Sequence, residues 1–72
     1  MEINHECVMG KFRLQLQYFP VPQYTWSYYR AVLYCEGKEV QVYKSYASQV
    51  EAKLEYNTVK KTVESMLAMV DK

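Results

Sequence analysis

Glycine and proline are scarce in this chain, two of each in 72 residues, and histidine occurs once. So few breakers exclude a Gly-rich phosphate loop, a linker or a low-complexity block, and leave one folded unit. A single histidine, His5, with no nucleophile motif elsewhere gives acid–base or nucleophilic catalysis no constellation to work with, so no catalytic residue is assigned and no enzyme is expected. Cys7 and Cys35 stand far apart, which excludes a dense disulfide framework. Together with His5 they supply one ligand fewer than a structural zinc site needs, so neither metal nor cofactor is expected. Long apolar runs are lacking, and nothing at the amino terminus resembles a signal peptide, so the expectation is a cytoplasmic protein without membrane contact. An excess of either charge is lacking too: nine Lys and Arg against eight Asp and Glu leave a net charge of +1. That excludes a bulk field for polyanions, and any nucleic-acid contact would have to rest on a local patch.

What the chain has is apolar and aromatic surface. Half of its residues are hydrophobic, and eight are Tyr and one Trp. A chain of 72 residues makes a single domain with one small core and no deep cleft. Tyr and Trp in such numbers give rigid contact area with a polar tip, the composition of an interface.

The pattern predicts an α+β domain over residues 1–72, a three-stranded antiparallel meander with one long C-terminal helix on one face (β-β-β-α). Lys11 to Tyr18 alternates strictly, with Phe12, Leu14, Leu16 and Tyr18 inward and Lys11, Arg13, Gln15 and Gln17 outward. Pro20 and Pro22 end that strand and stiffen the loop Phe19 to Tyr24. A second strand runs from Thr25 to Glu36 and is apolar or aromatic on both parities. Gly37 serves a short turn, and the third strand, Glu39 to Tyr43, places Val40 and Val42 inward and Gln41 and Tyr43 outward. Ser48 with Glu51 forms the S-x-x-E start of a helix whose core stripe is Ala52, Tyr56, Val59, Val63, Met66, Leu67 and Val70. Residues 1–9 lack a clear period and are read as either a mobile arm or a short edge strand. Val50 and Leu54 lie off the stripe and either pack under the Tyr46–Ala47 connection or meet a second chain.

One helix covers one sheet face, so the other is the candidate partner-binding surface: Arg13, Gln15, Gln17, Trp26, Tyr28, Arg30, Tyr34, Gln41 and Tyr43. Aromatics and Arg set among Gln match the anchors of a protein–protein interface, here with Trp26, Tyr28, Arg30 and Tyr34 as the anchors. The expected protein is a small non-enzymatic binder and homodimer, an inhibitor or adaptor of a larger protein in the manner of phage and mobile-element accessory proteins. The alternative is a module for single-stranded or double-stranded nucleic acid, with bases stacked on the same Tyr, Trp and Arg face.

The order strand-strand-strand-helix, with Ser48, Glu51, Ala52 and Lys53 in SQVEAK, is similar to the carboxy-terminal part of double-stranded-RNA-binding domains. Members of that family carry a serine, two lysines and then an alanine–lysine pair here. Gln49 and Val50 stand in place of the two phosphate-contacting lysines, and the family's amino-terminal helix and minor-groove loop have no counterpart. The resemblance therefore implies the fold and not the RNA contacts.

Overall fold

The computed structural model describes residues 1–21 and 27–70, the last of these by its backbone alone. Its strands are β1 (Glu2–Met9), β2 (Phe12–Pro20), β3 (Ser27–Cys35) and β4 (Lys38–Val42), followed by the helix α1 (Gln49–Val70). All neighbouring strands are antiparallel, in the spatial order β1-β2-β3-β4. The α+β class and the meander are as the sequence predicts. The strand count is four instead of three, because residues 2–9 pair with β2. Their hydrophobic pattern hides this: the ladder shifts between Ile3 and His5, which breaks the two-residue period within the strand.

The first and last hairpins turn tightly. Gly10, at φ +60°, opens the two-residue turn into β2, and Glu36 and Gly37 both take positive φ between β3 and β4. Positive φ at both central residues matches the right-handed twist of the strands, but Glu36 carries a Cβ that disfavours it. Replacing Glu36 by Asn is expected to stabilise the domain by about 1 kcal/mol in urea unfolding. The variant loses only the exposed 3.4 Å pair with Lys11, which contributes little.

The helix lies over β2 and β3. Leu14 faces Leu33 and Leu16 faces Ala31 across the central pair of strands, and these meet Ala52, Tyr56, Val59 and Val63 in the core. Leu14 and Leu16 are fully buried. Leu67 is half-buried against the same cluster. Met66, placed in the stripe by its spacing, is 58 % exposed. It borders a groove of about 830 Å³ that the helix leaves open beside Phe12, Leu33 and Tyr43. The side chain of Val70 lies outside the described residues. At the helix start, Ser48 Oγ accepts a weak 3.5 Å bond from the Glu51 N–H. Glu55, one turn on, fixes the preceding connection, accepting bonds from the Lys44 N–H at 3.2 Å and the Tyr46 hydroxyl at 2.9 Å. Val50 and Leu54 are 70 % and 62 % exposed, so neither packs beneath that connection.

Candidate functional site

The site is the face of the sheet turned away from α1. The register puts three rows across its two central strands: Arg13 opposite Tyr34, Gln15 opposite Val32, and Gln17 opposite Arg30. Phe19 opposite Tyr28 adds a fourth. The parity read from the sequence therefore holds on β2 and β3. Arg13, Gln15, Gln17, Tyr28, Arg30 and Tyr34 are brought together on one surface, while Trp26 lies outside the described residues.

On β4 the parity is reversed. Val42 pairs with Val32 and so joins the open face, whereas Gln41 pairs with Leu33 on the helix side. Tyr43 packs against the core cluster, with its N–H donating to the Ala31 carbonyl at 3.0 Å. Gln41 and Tyr43 are thus not part of the surface. The cause is a register shift between the Leu33 and Tyr34 pairs, which leaves Val40 without a partner and keeps Glu39 on the face beside Tyr34 while inverting the residues beyond it.

The surface is internally ordered. Gln17 Nε2 donates to the Tyr34 hydroxyl at 2.9 Å and to Gln15 Oε1 at 3.0 Å, and Gln15 Nε2 donates to Glu6 Oε2 at 2.6 Å. Arg13 Nε lies 3.8 Å from the same carboxylate oxygen. This chain of amides spans three strands. It leaves Gln17 only 2 % exposed and Val32, in the middle of the face, fully buried without a covering helix. At one end Phe19 and Tyr28 stack at 4.8 Å with their rings 9° from parallel, and the Arg30 guanidinium lies 4.6 Å above the Phe19 ring. Tyr28, Arg30 and Tyr34 are half-buried by this mutual packing and not spread in water. The interactions hold these side chains in place within the chain itself, and side chains held in this way have less rotamer entropy left to lose in a contact.

Further members of this surface, Glu6, Phe19, Val32, Glu39 and Val42 among them, are not in the set expected from sequence. Glu6 enters with the unforeseen strand β1. Phe19 continues the parity of Arg13, Gln15 and Gln17, and β2 runs on through it to Pro20 although the prolines predict an end at Tyr18. Val42 follows only from the irregular register of β4.

The charges on the face are balanced. Lys11 at its rim pairs with Glu36, and Arg13 with Glu6. Arg30 has no ion pair among the described residues, and its Nε is buried without a hydrogen-bond acceptor. Glu39, four positions along on the neighbouring strand, is exposed and likewise has no ion pair among the described residues.

On the helix side the displaced phenols all move upward. Burial, then the bond to the Cys7 thiol, hold Tyr56 well above the ordinary tyrosine range, with the Glu6 charge adding. Burial and then the Glu55 carboxylate raise Tyr43, and the hydrogen bond to Glu55 is the main cause for Tyr46. Unfolded phenols ionise near pH 10, while these keep their protons, so the stability they contribute is complete below that pH and declines as pH rises beyond it. Thermal melts across this range are expected to show the decline, and Tyr56→Phe to flatten it.

Among the described residues no group of three or more His, Cys, Asp or Glu is placed to hold a metal, and no helix is long and apolar enough to cross a membrane. Comparison with family models, curated proteins and solved structures finds no match.

Proposed function

We infer that this protein works without chemistry of its own, by holding another protein on the open face of its sheet. The observation that carries this reading is the preformed surface around Val32, in which the Phe19–Tyr28 stack, Arg30 and Tyr34 are fixed by packing and hydrogen bonds on a face that no element among the described residues covers. Rigid aromatic anchors beside Arg, set among amides, concentrate binding energy in a few desolvated contacts. A stand-alone domain of this kind suits an inhibitor or adaptor, of the sort that phage and mobile-element accessory proteins supply, acting in the cytoplasm. That part of the reading rests on size and composition.

Nucleic acid is the second reading, and charge disfavours it. The face and its rim carry Lys11, Arg13 and Arg30 against Glu6, Glu36 and Glu39, and two of the three cations are already paired. No row of unpaired cations tracks a phosphate backbone there.

The test is a pull-down from a native lysate, with and without nuclease, using the wild-type chain beside a Tyr28→Ala/Arg30→Ala variant. A partner that survives nuclease and is lost with the variant supports the reading. Partners released by nuclease move the assignment to nucleic acid, and partners retained equally by both chains place the site elsewhere. Salt separates the classes again. A protein held by aromatic anchors is expected to lose less than about threefold in affinity between low and moderate salt, whereas a phosphate backbone contacted at several points loses orders of magnitude.

A further inference from the structure

The unpaired charges of the open face stand at opposite ends of it. Arg30 lies one row from Val32 toward the Phe19–Tyr28 stack, and Glu39 one row from Val32 in the other direction, beside Tyr34. The remaining charged groups nearby are engaged: Arg13 with Glu6, Lys11 with Glu36, and the Lys44 ammonium 5.4 Å from the Tyr46 ring. The face thus carries a positive end, a negative end, and between them a row in which Val42 stands exposed beside the buried Val32. A surface with those properties is complementary to itself. Turning a second copy about a two-fold axis that runs across the strands through the valine row lays its negative end over the positive end of the first. Arg30 then comes within one strand spacing, about 4.8 Å, of the position facing Glu39 of the other copy, a sideways offset that long side chains can bridge.

We propose that the open face binds a second copy of this chain, in a symmetric dimer with Val42 and the side chains that cover the buried Val32 nearest the axis and two reciprocal Arg30–Glu39 pairs flanking them. This rests on the reading of the face as a protein-binding surface and names its occupant. Arg30 is well suited to the role. Its guanidinium lies 4.6 Å over the Phe19 ring and has no ion pair among the described residues, so the outer edge of its planar fork is left to take a carboxylate. Four strands of this length present a face of about 500 Å² per copy, near the lower bound for a specific complex, so the dimer is of micromolar strength and weakens as salt rises. A heterologous target on the same face competes with it.

Sedimentation velocity from a few to 200 micromolar tests this on the full chain, with circular dichroism and melting as folding controls. The wild type is expected to pass from monomer to dimer over this range. Arg30→Glu and Glu39→Arg each set like charges opposite one another across the axis and are expected to weaken the dimer by about tenfold or more. The swap Arg30→Glu with Glu39→Arg restores the pairing and is expected to return it to within about threefold of wild type. If Arg30→Glu does not fold, Glu39→Arg on the exposed edge strand still decides the question. A wild type that stays monomeric overturns the proposal, and so does a dimer that ignores both charge reversals but is broken by Leu54→Glu on the helix. In the monomeric case, loss of captured partner in the Tyr28→Ala/Arg30→Ala variant keeps the face as a binding surface, and its retention removes that reading as well.

Discussion

Replacing Leu16 by Ala is expected to cost about 3–4 kcal/mol and to leave a large fraction of the chain unfolded at 25 °C. Leu16 is fully buried between Ala31 and the helix side chains, and the helix offers few groups that could move into the space. A domain of this size has a total stability of only about 3–5 kcal/mol, so one such cavity removes most of it. Urea unfolding followed by circular dichroism checks this, and a cost below about 1 kcal/mol would show that α1 does not close over the sheet in the way described.

The second large effect is on binding instead of folding. Tyr28→Ala with Arg30→Ala removes the stacked ring and the cation above Phe19, and is expected to weaken partner binding by about 100-fold or more. Its cost in stability is expected to be about 1–2 kcal/mol, the combined worth of one aromatic pair and one cation–π contact. The two variants therefore separate the faces of one sheet: Leu16 reads the side under the helix, Tyr28 and Arg30 the side without it. If the double variant unfolds as readily as Leu16→Ala, the two faces have been exchanged and the proposed surface is the core.

The parts of this fold that the sequence makes legible are those with an unbroken period. Phe12 to Tyr18 alternates without exception, and its register with β3 follows; Ala52, Tyr56, Val59 and Val63 repeat at three and four, and all four are buried. The parts that stay hidden are the two edge strands, and for one physical reason. Each carries a register shift, between Ile3 and His5 in β1 and opposite Leu33 and Tyr34 in β4, and a single extra residue inverts the side-chain parity beyond it. That inversion moved Tyr43 and Gln41 to the helix side and brought Val42 to the open face. Burial by lateral contact was also beyond the pattern. Gln15 and Gln17 look like solvated alternates of Leu14 and Leu16, yet an amide network running from Glu6 to Tyr34 buries both.

The account stands on the claim that the face centred on Val32 is where a protein is held. Intermolecular nuclear Overhauser effects in a mixed sample of ¹³C-labelled and unlabelled chains, recorded at the highest attainable concentration, test it most directly. Cross-peaks between copies are expected from the Val42 methyl groups and from the Tyr34 ring. Cross-peaks confined to Val50, Leu54 or the methionines of α1, with none from Val42 or Tyr34, would contradict it.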